Sequence, residues 1–254
     1  KQDFKKKNNS TSISLSGYID EKMLNGIVNN EIKFTGKVKT EANFVGNSFN
    51  FNKGDLLLDF RDVKIESYIL DWAKPRFSSM VLKSDIIFPD NNEIDFYNFQ
   101  VEGPLIQILG DFKFKNNRLL NLNLEKFKFY SSIDNISNNL QIKYTNNFSS
   151  SLELSILGDV ISIGRDGLSN LLNNTDPSNN YENIIINVFF DELNSKSNIT
   201  YKNIEFSYDK KLNKLKELSF SALLNSEPVI YGETSEHNNT KKIELFAVNF
   251  ESLI

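Results

Sequence analysis

Among residue types able to do chemistry, this 254-residue chain has one histidine, His237, set among Glu236, Asn238 and Asn239. A lone imidazole cannot build a multi-histidine metal site, and no nucleophile stands beside it as a triad would require. Carboxylates are plentiful, 33 in all. Pairs such as Asp85 with Asp90, or Asp191 with Glu192, have the residue types that glycoside hydrolysis needs. On strands whose polar residues alternate with apolar ones, such pairs arise without any cleft to hold them. Gly164-Arg165-Asp166-Gly167 lacks the Gly-Lys-Ser/Thr end of a phosphate loop, and Asp176-Pro177-Ser178-Asn179 lacks EF-hand ligand spacing. Sequons such as Asn198-Ile199-Thr200 are common in any Asn-rich chain. With no Cys, disulfide and thiolate chemistry are absent, which leaves the compartment open. The expectation is a protein that is not an enzyme and uses no cofactor or metal.

Composition narrows the partners. The formal net charge is -4 and the pI about 5.3, so a Lys/Arg face for nucleic acid is not expected. Hydrophobic residues make up 39% and charged residues 24%, values of a chain that folds around a core. The 21 Phe against one Trp and two Met suit strands, where flat rings pack on a pleated surface. No stretch approaches the roughly 20 apolar residues of a membrane span. The first residue is Lys1 and the last, Ile254, falls within an apolar pattern, so the chain is expected to be part of a longer protein.

The elements that must carry any function are strands. Period-two alternation runs through Ile13-x-Leu15, Ile32-x-Phe34, Phe49-x-Phe51 and Leu56-x-Leu58-x-Phe60. It continues through Met80-x-Leu82, Ile86-x-Phe88, Ile94-x-Phe96, Ile106-x-Ile108, Phe112-x-Phe114 and Leu120-x-Leu122-x-Leu124. After Glu125-Lys126 the phase slips by one to Phe127-x-Phe129, as a β-bulge would require. It resumes at Leu140-x-Ile142-x-Tyr144, Leu152-x-Leu154-x-Ile156 and Ile184-x-Ile186-x-Val188-x-Phe190, and again at Phe206-x-Tyr208 and Leu218-x-Phe220. That is on the order of fifteen strands with polar residues in the alternate positions.

Turns are expected at Lys53-Gly54, Asn91-Asn92, Asn116-Asn117, Asn138-Asn139, Asn146-Asn147 and Asn238-Asn239, since Asn and Gly tolerate positive φ. Asp20–Asn25 and Gly164–Asn174, the latter with Leu168, Leu171 and Leu172 at helical spacing, break the alternation as short helices would. The polar stretch 173–183 divides a front section, 1–172, from a back section, 184–254. Lys5-Lys6-Lys7 reads as a solvated end, with anionic lipid headgroups as the sharper alternative. Lys210–Glu217, with Leu212 and Leu215 at helical spacing, reads as a charged hairpin connection rather than a membrane-surface helix.

Particular residues carry a family likeness. Gly54–Phe88 reads as two strands, then Leu70-Asp71-Trp72-Ala73-Lys74-Pro75, then another strand; after it come Val101-Glu102-Gly103-Pro104, Leu109-Gly110-Asp111-Phe112 and the leucine-rich Leu119–Phe129. In this order, strongest from about Gly36 to Ile163, the chain resembles the AsmA-like family of bacterial envelope proteins (YhdP/TamB-type). It departs from that pattern at Asn249-Phe250-Glu251, where relatives carry Asp-x-Gly. The resemblance implies an elongated, all-β antiparallel meander curled into a half-pipe groove in the periplasm. It also implies an inner-membrane anchor outside this segment, phospholipid acyl chains as cargo, and outer-membrane proteins as a further class of partner. Trp72-Ala73-Lys74-Pro75 is expected to be a structural turn, with Trp72 capping one end of the apolar interior.

Physics sets what such a groove needs. A phospholipid carries about thirty methylenes, and at about 0.8 kcal/mol each its transfer to water costs on the order of 25 kcal/mol. A continuous apolar stripe without interrupting charge would remove that barrier. The residues expected to line it are Met80, Leu82, Ile86, Phe88, Ile106, Ile108, Phe112, Phe114, Leu120, Leu122, Leu124, Phe127, Phe129, Ile142, Leu152, Leu154, Ile156, Ile186, Val188 and Phe190. Alternation alone favours the core of a β-sandwich, and it is the family likeness that turns the expectation to a groove. A scaffold or outer-membrane assembly factor that carries no lipid is the alternative function, and a carbohydrate-active enzyme with two carboxylates in a cleft is a third.

Overall fold

Alternating apolar side chains fall on one side of an extended backbone, and β-branched and aromatic residues favour that conformation. A computed structural model describes residues 10–27, 32–47, 50–67, 72–89, 92–130, 137–147, 150–162, 181–194, 200–212, 214–237 and 240–247. The front strands are β1 (Ser10–Asp20), β2 (Ile32–Asn47), β3 (Asn50–Asp59), β4 (Val63–Ser67), β5 (Trp72–Lys74), β6 (Val81–Ile87), β7 (Glu93–Gly103) and β8 (Ile106–Lys115). The remainder are β9 (Arg118–Tyr130), β10 (Ser137–Asn146), β11 (Ser151–Ser162), β12 (Asn183–Asn194), β13 (Thr200–Lys211), β14 (Lys214–Leu224), β15 (Glu227–His237) and β16 (Thr240–Ala247).

All sixteen join in one sheet, ordered β16-β15-β14-β13-β12-β11-β10-β9-β8-β7-β6-β3-β2-β4-β5, with β1 paired to β2. The sheet is curled and not closed into a barrel. At about 4.8 Å per strand its long axis runs about 70 Å. The expected all-β groove is thus present, with one departure from a pure antiparallel meander: β11 and β12 run parallel. Parallel neighbours need a connection of a dozen residues or more, and residues 163–182 separate these two in the chain. The front and back sections therefore share one ladder. Lys5-Lys6-Lys7, Asp90, Gly164–Asn174, Asp176–Asn179 and Asn238-Asn239 lie outside the described residues.

The front end of the sheet turns a corner. Lys37–Asn47 of β2 pairs with β1 and β3, whereas Ile32–Gly36 pairs with β4, which pairs with β5. Gly36 sits at the junction with φ 123, and a Cβ there would run into the Asp62 carbonyl oxygen. The resulting three-stranded flap packs Phe34, Val63, Ile65 and Trp72 into one cluster with Val38, Phe60, Met80, Ile106 and Phe129. Trp72 Nε1 donates to the Leu105 carbonyl in the β7–β8 turn at 3.1 Å.

Trp72-Ala73-Lys74 is therefore a strand, not a turn, because Trp72 and Lys74 alternate onto its buried side; the chain turns after Pro75. Lys74 is only 2% exposed, and its Nζ donates to the carbonyls of Val63 (2.8 Å) and Pro75 (3.0 Å). Burial holds its pKa below the ordinary 10.5.

The helix expected near Asp20–Asn25 is α1 (Glu21–Ile27). Asp20 Oδ1 caps it by accepting from the Met23 amide at 3.0 Å. Asn25 then docks it, its amide pairing with both Phe34 N and Phe34 O at 2.9 Å.

Turn chemistry is split. Asn116 (φ 50) and Asn117 (φ 60) form the two-residue turn between β8 and β9, as positive φ at both centres demands. Asn225 (φ 52) and Ser226 (φ 68) do the same between β14 and β15, where no turn had been expected. Lys53-Gly54 instead lies within β3, where Gly54 leaves room for the Phe44 ring 2.6 Å from where its Cβ would be. Asn138-Asn139 lies within β10, with buried Asn138 donating to the Phe129 carbonyl at 3.4 Å. Asn146 ends β10, and Asn147 accepts from Ser150 in the turn that follows. Lys210–Glu217 is the β13–β14 hairpin connection that its charge pattern indicated.

The phase slip at Glu125-Lys126 is a bulge: Leu109 faces Lys126 but Gly110 faces Leu124, and Leu140 faces Phe127 but Ile142 faces Leu124. A second sits at Asn98 (φ 49) in β7, whose amide donates to Asp111 Oδ1 at 2.9 Å and whose side chain donates to Asp85 Oδ2 at 2.8 Å. A further irregularity crosses three strands without changing the register among them, and shifts it only between β13 and β14. The ladder skips Asp159, Asp191 and Asn203 (φ 49), and beyond the skip Ile161 and Leu193 rejoin the core. Bulges bend a strand and raise its twist, which curls a sheet of strands this long.

Candidate functional site

In a ladder, directly paired residues share a face, so register can be followed from strand to strand. From Leu122 it leads to Phe112, Phe96, Ile86, Gly54, Phe44 and Ile13 on one side. On the other it leads to Tyr144, Leu154, Ile186, Tyr208 and Leu218. A second row runs from Leu124 through Ile142, Ile156, Val188, Phe206 and Phe220. One face of the sheet, the inner one, thus presents apolar side chains across nearly its whole length.

Of the residues expected to line a groove, Leu82, Ile86, Ile106, Ile108, Phe112, Phe114, Leu122, Leu124, Phe127, Phe129, Ile142, Leu152, Leu154, Ile156, Ile186, Val188 and Phe190 are all placed on this face by the pairing. Met80 and Phe88 flank β6 in the same phase; Met80 lies against Gly103, and the Phe88 ring lies 6.0 Å from Phe44. Leu120 is the exception. A register shift pairs Lys113 with Asn121 and Phe114 with Leu119, so Leu119 takes the ladder position and Leu120 is left in the bulge.

The face has two halves. Toward the rim carrying the β7–β8 turn, Met80, Val101, Ile106, Phe129, Leu140 and Phe190 are buried in the same cluster as the flap. Met80, Ile106, Phe129 and Phe190 therefore belong to a dry core and not to an accessible stripe. Gly158 lets this packing close, since a Cβ there would stand 2.5 Å from Leu140 and 2.7 Å from the Phe190 ring. Toward the opposite rim Phe96, Phe112, Phe114, Leu122, Leu152, Leu154 and Ile186 are only half-buried.

The accessible half is rich in aromatics. Phe112 stacks on Phe96 with centroids 4.5 Å apart and meets Phe99 at 4.8 Å and Phe114 at 5.7 Å edge-on. Phe44 lies 6.0 Å from both Phe51 and Phe88. Among the described residues every strand belongs to this one sheet, so no second sheet covers the rings.

Charge is kept off this wall. Among paired residues from β6 to Phe190 in β12, none on the inner face is charged. Charges gather on the outer face: Lys113 bridges Glu93 at 3.1 Å and Asp95 at 3.0 Å, and Lys115 bridges Glu93 at 3.3 Å. The hydrogen bond from Lys113 holds the Glu93 carboxyl below its ordinary range, and hydrogen bonds to Asp95 and Glu93 raise Lys113. Asp191 falls in the skip, and Glu192 pairs with Lys202 at 3.6 Å. Asp85 is held by Asn98, and His237 ends β15 opposite Thr240. No group of three or more metal-ligating side chains occurs among the described residues.

The inner face is not wholly apolar, and this the alternation did not reveal. Ser84 is buried and donates to the carbonyls of Asp85 and Tyr97, closing the bulge beside Asn98. At the half-buried rim Asn146 donates to the Tyr144 hydroxyl at 3.1 Å, and Lys210 donates to the Tyr181 carbonyl at 2.9 Å. Burial raises the Tyr144 phenol. Each of these groups interrupts an apolar run at a single position, a signal too local to read from period two.

No helix among the described residues is long and apolar enough to cross a membrane. Compared with protein-family models, curated proteins and solved structures, the chain matches none.

Proposed function

We propose that this chain is a segment of an AsmA-like envelope protein that carries phospholipid acyl chains along the inner face of its curled sheet. The observation that supports it most is the conjunction of an aromatic-rich inner face, uncharged from β6 to Phe190, with the absence, among the described residues, of a second sheet to cover it. A sandwich would bury that face against a partner sheet about 10 Å away. Acyl chains need the surface that remains, apolar across many strands and wet only on the far side. No ionisable group takes part, because the barrier to be lowered is the exposure of methylenes to water. Transfer between inner and outer membrane, with periplasmic location and an anchor beyond this segment, completes the reading by resemblance.

Photo-crosslinking tests it. A photoreactive residue at Phe112 or Leu122 should trap phospholipid, whereas one at the outward Asn121 should not. Recovery of no phospholipid from either inner position sinks the proposal and leaves the lipid-free scaffold reading in its place.

A further inference from the structure

Pairing places one charged side chain on the inner face from β6 to β13. It is Lys210, opposite Ile184, which stands opposite Leu152, which stands opposite Asn146. These four make a row along the half-buried rim. Lys210 Nζ uses one of its three donors on the Tyr181 carbonyl. No carboxylate pairs with it among the described residues. Asn146, only 9% exposed, gives its Nδ2 to the Tyr144 hydroxyl, yet its Oδ1 is buried with no partner. Native proteins rarely leave such an acceptor unfilled. Buried Tyr181 joins the two ends of the row: its carbonyl holds Lys210, and its phenol bears on that of Tyr144.

We propose that this row holds the polar head of the lipid, with Lys210 on an anionic phosphate oxygen and Asn146 Oδ1 accepting from a hydroxyl or primary amine beyond it. The inference rests on the acyl-chain reading above and adds which lipids that face favours. An ammonium with free donors calls for an anion, and an orphaned carbonyl oxygen calls for a donor. A small free anion would meet Lys210 but leave Asn146 unfilled and the neighbouring Leu152 and Ile184 wet. A lipid phosphate ester answers all three, because its chains cover the apolar rows while its head lies along the rim. β10 and β13 stand about 14 Å apart. Lys210 leans toward the start of β12 to reach Tyr181, which shortens the span the head must bridge. The methylenes still meet no ionisable group; only the head does.

The whole chain is incubated with vesicles of equal parts phosphatidylethanolamine, phosphatidylcholine and diacylglycerol, and the lipid it keeps is quantified by mass spectrometry. Lys210→Met should lower the ratio of either phospholipid to diacylglycerol about tenfold, and Lys210→Arg should restore it. Lys211→Met, one residue on and exposed, should leave it unchanged. Asn146→Leu should erase the excess of ethanolamine over choline lipid, since choline has no N–H to give, and keep the phosphate preference. A role in folding alone would lower all three lipids together and leave their ratios as they are. Asp166→Asn with Asp176→Asn removes the carboxylates of the stretch before Tyr181 and should not move the ratios; a shift assigns Lys210 to the chain's own carboxylate and overturns the proposal. So does displacement of bound lipid by millimolar glycerophosphoethanolamine, the same head without chains, which marks a site for free phosphate esters. Ratios indifferent to Lys210→Met overturn the headgroup site and leave acyl-chain carriage standing, whereas a chain that keeps no lipid overturns both.

Discussion

A charge set into the half-buried part of the inner face should cost far more than the same charge one residue away. Leu122 lies between Phe112 and Tyr144 on that face, and Asn121 lies between Lys113 and Thr145 on the other. Leu122→Glu places a carboxylate where an acyl chain would run, and the chain must lift away to leave the charge hydrated. If about three to five methylenes lose their apolar surface, at about 0.8 kcal/mol each, the loss is about 2–4 kcal/mol. That is a fall of about 30- to 1000-fold in lipid affinity. Asn121→Glu adds the same charge beside Lys113 and should change affinity less than about twofold. Phospholipid recovered with the purified protein, and transfer of a fluorescent phospholipid between vesicles, read the difference. Thermal melts must show both variants folded, since losing a half-buried leucine itself costs about 1–2 kcal/mol. If Leu122→Glu binds lipid as the parent does, or if Asn121→Glu loses as much, the inner face is not the carrier.

Other consequences concern the fold that holds this face. Trp72→Phe keeps most of the apolar burial but removes one of the two donors to the Leu105 carbonyl, which the Tyr130 amide still reaches at 3.1 Å, and should cost about 1 kcal/mol, lowering the melting temperature by about 2–4 °C. Asn117→Val forces a β-branched residue to φ near 60 and should destabilise by about 1–2 kcal/mol in denaturant titration, while Asn117→Gly should be slightly stabilising. Glu93, held below its ordinary pKa of 4.5 chiefly by Lys113, contributes stability above that value that is lost as pH falls through its lower folded pKa. Glu93→Gln should therefore flatten part of the fall in denaturation midpoint between neutral pH and about pH 3. An unchanged slope would remove Glu93 from the acid response.

Much of this molecule follows from local rules. Residues such as Leu152, Leu154 and Ile156 can share a face only if the backbone is extended, so period two determines both the strands and the sidedness of the sheet. The slip at Glu125-Lys126 announces its bulge because a single extra residue must invert the alternation. Asn116-Asn117 announces its turn because few other residues accept two successive positive φ values.

What local rules could not determine is where one face of one strand meets another part of the chain. Lys74 reads as part of a turn, yet the flap buries it among carbonyls because β5 pairs with β4. Asn138 reads as a turn residue, yet β10 extends through it to pair with Phe129. The parallel pairing of β11 with β12 has no counterpart in the alternation of either strand, since period two is the same for both directions. Above all, Phe129 and Phe112 look equivalent in sequence, each one of a Phe-x-Phe pair. Only the corner at Gly36, which lays the flap over the rim near Leu105, makes the first part of a dry core and leaves the second half open to solvent. Burial is a property of what comes to rest on a side chain, and that depends on contacts distant in the chain.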